Sequence, residues 1–223
     1  MKTSYTIPTA IVLGGILVAS AVYFSMPKSP SLSEGNPALV RPVGAADHIL
    51  GNPTAPVTII TYTDFNCEYC KEFDETMRHI IANEGTGGEV AWVYRQFPLS
   101  EIHPDALRHA EASECITQAA GNAAFWDFVQ QLFENQPASP VAYGTYAEKI
   151  GVSSDAFASC SASVPKEIDE RVQADRQNAL LMGARGTPYS LIIVAGKPPV
   201  VMAGAYPYGA VKELIDEALA GVK

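Results

Sequence analysis

Apolar and polar positions divide the chain into three regimes. Residues 7 to 24, "IPTAIVLGGILVASAVYF", run for 18 positions without a charge, the lower end of what crosses a bilayer as a helix. Residues 25 to 46, "SMPKSPSLSEGNPALVRPVGAA", are rich in Pro, Ser and Gly and show no apolar period, as a flexible spacer would. From residue 47 onward the periods of strands and helices alternate.

Within that body, "APVTIITYTDF" follows the turn-forming "GNPTAP" and is dense in β-branched residues, which predicts a buried strand from Val57 to Thr63. Phe73, Met77, Ile80 and Ile81 then fall at i, i+4, i+7 and i+8, the stripe of an amphipathic helix, with Asn66 available as its N-cap. "EVAWVYRQF", Glu89 to Phe97, reads as a second strand ended by Pro98. Helical pattern runs from Pro104 to about Asn135, with Gly121 and Asn122 dividing it. Tyr143 to Ile150, Ser154 to Cys160 and Pro165 to Met182 read as further helices, the last opened by its proline. "YSLIIVAG" and "PVVMAG" are strands joined by a Lys-Pro-Pro turn, and Tyr208 to Ala220 is a closing amphipathic helix.

The order is strand, helix, strand, a helical block over about 103–183, a strand hairpin, then helix. Without the block, a βαβ unit followed by ββα remains. The fold class is therefore α/β, a thioredoxin-like core with a helical insertion over residues 47–223, preceded by a membrane helix at 1–24 and a spacer at 25–46.

Charge narrows the partners. The chain carries a formal −9 at pH 7, while its first 45 residues hold Lys2, Lys28 and Arg41 against Glu34, so the body is close to −11. An acidic body without clustered Lys and Arg argues against nucleic acid as a partner. "ASA" at 19 to 21 resembles a cleavage site, but the apolar run continues through Val22, Tyr23 and Phe24, which favours an uncleaved anchor. Either reading exports the body, to the periplasmic or extracellular face if anchored and to the outside if cleaved.

The chemistry-bearing stretch is "DFNCEYCKEF" at 64 to 73. A cysteine at a helix start feels the positive end of the macrodipole and the unpaired amides there, which favour its thiolate. Cys67 has that position. Cys70 lies one turn on, within disulfide reach, and is the less exposed of the two. Such a pair can exchange a disulfide with another protein through a mixed disulfide. A zinc site is the weaker alternative, because Cys115 and Cys160 stand 45 apart and form no second C-x-x-C.

The runs "GNPTAPVTIITYTDFNCEYCKEF", "WVYRQFPL" and "GTPYSLII" resemble, in order and spacing, the DsbA-like family of thioredoxin-fold thiol–disulfide oxidoreductases over roughly residues 46 to 222. The resemblance implies that Pro188 is cis and faces the C-x-x-C, with Thr187 before it holding the substrate backbone. It implies catalysis by Cys67 and Cys70 without a dissociable cofactor or metal, on unfolded or partly folded exported proteins that bear cysteines. It also implies reoxidation by a quinone-linked integral membrane protein. Two departures matter. The active-site dipeptide is Glu68-Tyr69 rather than the family's frequent Pro-His or Pro-Tyr, and a carboxylate beside Cys67 opposes its thiolate, which points to a milder oxidant. Six residues before Cys67, where many relatives carry a buried Glu, stands Thr61, and Asp64 is a doubtful substitute for that proton-relaying carboxylate.

In an exported protein, Cys115 and Cys160 can form a second, structural disulfide, as some DsbA-like proteins do in the helical region; two small core thiols are the alternative. His48, His79, His103 and His109 show no metal spacing, and His79 and His109 read as surface or partly buried residues. Tyr69 and Tyr189 flank the site and could form an apolar platform for substrates; Trp92 and Trp126 are assigned to the core. The overall expectation is a membrane-tethered extracytoplasmic oxidase. A reductase or isomerase using the same site, and a non-catalytic peptide-binding chaperone, are the rivals.

Overall fold

The structure, a computed structural model, describes residues 35–221. The apolar run at 7–24 and the spacer as far as Glu34 lie outside the described residues. Among those described, no helix is long and apolar enough to cross a membrane.

Five strands form one sheet in the order β1-β3-β2-β4-β5: β1 His48–Gly51, β2 Val57–Thr63, β3 Val90–Gln96, β4 Tyr189–Val194 and β5 Val200–Ala203. β2 and β3 are parallel, with α1 (Glu68–Glu84) as their crossover, and every other pairing is antiparallel. β1 has no counterpart in the sequence reading. It is four residues, "HILG", too short to show an alternation, and it forms because β3 leaves an edge for it to pair.

Side-chain alternation sorts the central strands between two cores. Val57 and Ile59 of β2, with Val90, Trp92 and Tyr94 of β3, pack under α1, α6 (Tyr208–Ala220) and the helical insertion. Ile60, Tyr62 and Val93 face the other way, with Ala179 of α5 (Lys166–Leu181) in their cluster. The insertion supplies α2 (Ala106–Glu134), α3 (Tyr143–Lys149), α4 (Ser154–Ala162) and α5. Gly121 breaks α2 with φ 81° and ψ −172°, a conformation open to glycine and strained for other residues. Trp92 and Trp126 are both buried, with ring centroids 4.6 Å apart.

Cys115 of α2 and Cys160 of α4 are joined by a disulfide, their Cα atoms 5.7 Å apart and 45 residues apart in sequence. Closing that loop restricts the unfolded chain. Cys115→Ala/Cys160→Ala is expected to lose about 2–4 kcal/mol, read by urea unfolding with the other two cysteines reduced in both proteins.

The flexible spacer expected over 25–46 needs correction in its described part. Asn36 N–H donates to the Leu181 carbonyl (3.0 Å). Asn178 Nδ2 donates to the Leu39 carbonyl (2.8 Å) while its Oδ1 accepts from Arg41 N–H (3.1 Å). Arg41 also pairs with buried Asp175. Gly35 crosses Gly183 so closely that a Cβ on Gly35 would sit 1.9 Å from the Gly183 nitrogen. Residues 35–46 therefore form a strap over the α5 side of the sheet, held by polar groups that a search for apolar periodicity does not register.

Candidate active site

The β2-α1 turn builds the site. Asp64 Oδ1 accepts from Asn66 N–H (2.7 Å), and Cys67 N–H donates to the Asp64 carbonyl (3.1 Å), so the chain turns sharply out of β2 into the helix. Cys67, not Asn66, is the N-cap, and no side chain caps the helix by a hydrogen bond. Asn66 stands one position before the cap, and its Oδ1 accepts no helix amide. The amides of Tyr69 and Cys70, at the opening of α1, lie against the Cys67 sulfur.

Cys67 and Cys70 are both free thiols, 8% and 1% exposed. Cys67 Sγ faces the Thr187 carbonyl at 3.4 Å, and Thr187-Pro188 is a cis peptide leading into β4. Thr187 Oγ1 is buried beside the two sulfurs. The structure thus brings Cys67, Cys70, Thr187 and Pro188 together, with Glu68 and Tyr69 exposed beside them.

The two sulfurs differ in charge preference. The Cys67 thiol is pulled down to about 6, first by its hydrogen bond with the Cys70 thiol. Burial opposes the shift, and Thr187 and the amides of Cys70 and Tyr69 reinforce it. Burial is the largest cause pushing the Cys70 thiol well above its ordinary value, followed by the hydrogen bond and charge of Cys67. One sulfur is a nucleophile and good leaving group near neutrality, and the other keeps its proton. Alkylation of the reduced protein by iodoacetamide is therefore expected at Cys67 alone, rising through a midpoint near pH 6; equal labelling of both cysteines, or a midpoint near 9, contradicts this. Because the folded value is lowered, the thiolate's stabilisation of the reduced fold is complete above the ordinary value and is lost as pH falls through about 6.

Beneath the pair, Thr61 Oγ1 accepts from Trp92 Nε1 (3.0 Å) and Ser190 Oγ (3.0 Å). A neutral, satisfied polar cluster occupies the position where the resemblance places a buried carboxylate. Asp64 does not replace it: its Oδ2 accepts from Leu99 N–H (2.7 Å) and meets His103 Nδ1 (3.0 Å), which commits the carboxylate to the turn.

Several residues stand elsewhere than expected. Tyr69 is 63% exposed, but Tyr189 is buried and donates to the Met182 carbonyl (3.1 Å), so these two tyrosines form no shared platform. His109 is fully buried, its Nδ1 2.5 Å from Tyr143 Oη; a polar partner 34 residues away makes that burial possible. His48 is buried too, against Glu114 (2.9 Å) and stacked on Phe125. Sequence reasoning missed Gln136, whose Nε2 donates to the carbonyls of Phe65 (2.8 Å) and Cys67 (3.0 Å). Nothing in its local sequence marks that contact.

The model of the family described as Thioredoxin matches residues 44–216. Among curated proteins, the Na(+)/H(+) antiporter NhaA 3 of Salinispora tropica is 34% identical over 158 residues, which is 70% of this chain and 23% of that protein. The chain spans less than a third of the curated relatives it matches. Among solved structures, the thiol-disulfide exchange protein alpha-DsbA2 of Wolbachia pipientis superposes with a TM-score of 0.68 at 18% identity, over 78% of this chain and 87% of that one. A periplasmic thioredoxin-like protein from Salmonella enterica serovar Typhimurium gives 0.64 at 19% identity, over 78% and 90%. The chain belongs to the thioredoxin family, and its architecture is that of the DsbA-like thiol–disulfide oxidoreductases.

Proposed function

We propose that the chain is an extracytoplasmic protein thiol–disulfide oxidoreductase that forms disulfides in exported proteins. The observation that carries this reading is the Cys67 sulfur at the start of α1, with Cys70 one turn behind and the Thr187 carbonyl 3.4 Å away. In the oxidised protein, a substrate thiolate attacks Cys67 Sγ; the Cys67–Cys70 bond breaks and Cys70 leaves, taking up a proton as the thiol. A second substrate thiolate then attacks the substrate sulfur of the mixed disulfide and releases Cys67 as thiolate. The substrate loses two electrons and the 67/70 pair gains them. A low-pKa sulfur leaves readily, which drives the second step. Thr187 and Pro188 present a backbone edge on which an extended substrate segment can pair.

Turnover needs an oxidant for the dithiol, and a quinone-linked membrane protein suits an exported enzyme. The Cys115–Cys160 disulfide supports an oxidising compartment, as does the description of a structural neighbour as periplasmic. The uncharged run at 7–24 is of a length to anchor the domain to the membrane.

Thiol trapping in the cell tests the reading. Acid quenching followed by alkylation with a maleimide of large mass should show the 67/70 pair oxidised at steady state. A pair found reduced would make the protein a reductase or isomerase instead. Full biological activity from a Cys67→Ser/Cys70→Ser protein would make it a peptide-binding chaperone.

A further inference from the structure

The Gln136 contact joins two parts of the fold that the chain order separates. Gln136 lies just past the end of α2, in the helical insertion, whereas Phe65 and Cys67 belong to the β2-α1 turn of the thioredoxin core. We propose that Gln136 is the positioning residue through which the insertion holds the Cys67 turn in its reactive geometry. The inference rests on the exchange chemistry proposed above.

A single carboxamide nitrogen donates both of its hydrogens, one to the Phe65 carbonyl at 2.8 Å and one to the Cys67 carbonyl at 3.0 Å. These carbonyls bracket Asn66 and Cys67, so the peptide planes on either side of that dipeptide are gripped from outside the helix. The Cys67 carbonyl is also the first acceptor of α1, taking Cys70 N–H (3.1 Å) and Lys71 N–H (3.3 Å). Its direction therefore sets how the opening amides of the helix lie relative to the Cys67 side chain. A second contact between the same two parts runs beside it, Phe133 of α2 against Phe65, ring centroids 5.5 Å apart. That apolar contact holds the insertion near the turn but fixes no peptide plane; the carboxamide does.

Gln136 and the adjoining Pro137 also line a groove of about 460 Å³ together with Glu68 and Glu72 of α1. The residue that steadies the nucleophile thus lies on a groove along the opening turn of α1. Without its two donors, the turn gains rotational freedom, and the amides of Tyr69 and Cys70 spend less time on the sulfur. Cys67 then becomes a weaker thiolate and a poorer leaving group.

The test uses Gln136→Met, close in shape and without donors, and Gln136→Asn, one methylene too short to reach both carbonyls. Both are neutral, so no new charge acts on the sulfur. In each reduced protein, the pH profile of Cys67 alkylation is measured beside the urea midpoint. The midpoint of the profile should move upward and the alkylation rate at pH 6 should fall about three- to tenfold in Gln136→Asn, the worth of one lost hydrogen bond, and at least as far in Gln136→Met, which loses both. A lower urea midpoint with an unchanged Cys67 profile overturns the inference, since a merely structural contact would do that. Should the parent's own Cys67 titrate at the ordinary thiol value, the exchange reading falls together with this one. A normal parent with unchanged variants sinks only the role of Gln136.

Discussion

Cys67→Ser should abolish exchange between the protein and a dithiol substrate, while Cys70→Ser should leave the attack of the Cys67 thiolate on a substrate disulfide intact, expelling one substrate thiolate and trapping the other substrate sulfur as a mixed disulfide. A hydroxyl cannot form the covalent intermediate, so nothing else in the fold compensates for Cys67. Cys70 is 1% exposed and lies behind Cys67; its removal deprives the mixed disulfide of its intramolecular resolving thiol. A second effect separates two Cys70 variants. The Cys70 thiol is the foremost cause of the low Cys67 pKa, so Cys70→Ala should raise it from about 6 toward the ordinary value of 9. Cys70→Ser keeps a donor and should raise it less. Titration of the thiolate absorbance of each variant reads the difference. Equal shifts in the two would remove the hydrogen bond from the account.

Arg95→Met is expected to cost about 3–5 kcal/mol of stability, because it breaks a buried ion pair on one side only. Arg95 is fully buried in β3, yet all five of its donor hydrogens are used. Nε and Nη2 donate to the two oxygens of Asp47 (2.8 and 3.0 Å), Nη2 also to the Pro42 carbonyl (3.2 Å), and Nη1 to the Arg41 carbonyl (3.1 Å) and Tyr62 Oη (2.9 Å). The side chain is the bolt between the sheet and the strap. Its loss leaves the Asp47 carboxylate with the Gly44 N–H (2.8 Å) and the more distant Arg171 charge but no paired cation. Arg95→Lys keeps the charge but not the planar fork, and should fall between the parent and Arg95→Met.

The pH dependence carries a sign that can be checked. Burial alone would raise the Asp47 carboxyl, but hydrogen bonds and charge from Arg95 bring it below its ordinary value. Its contribution is present above the unfolded value and is lost as pH falls through the folded one. In Arg95→Met, the hydrogen bonds and charge of Arg95 are gone and only the Gly44 amide and the Arg171 charge still oppose burial, so the folded value rises and the gain in stability with rising pH shrinks. Urea unfolding between about pH 3 and 7 in both proteins measures the two slopes.

What the sequence revealed and what it hid follow from the range of the interactions. β2, β3 and α1 are legible because their order is local: β-branched density, a 3.6-residue stripe and a turn-forming flank each lie within a short window. The division of the long helix at Gly121 is readable for the same reason, since one residue's conformational range decides it. The cysteine pair and the Gly-Thr-Pro segment are likewise short patterns, and the structure sets them against each other across 120 residues. The strap at 35–46 is different. Its composition is that of a linker, and it is fixed by Asp175, Asn178 and Arg95, none of which is near it in sequence. His109 and Gln136 were hidden in the same way, each defined by a partner on another element. Long-range polar pairing leaves no period, so propensity and patterning pass over it.

The most direct test of the exchange account is the equilibrium of the 67/70 pair with glutathione, followed by trapping and mass measurement, with Cys115 and Cys160 left bridged. A thiolate held near pH 6 stabilises the reduced form, so the pair should be more oxidising than thioredoxin, with a potential above about −200 mV and short of the strongest oxidant at about −120 mV. A potential at or below about −270 mV, or no disulfide between the two sulfurs at any glutathione ratio, would contradict it.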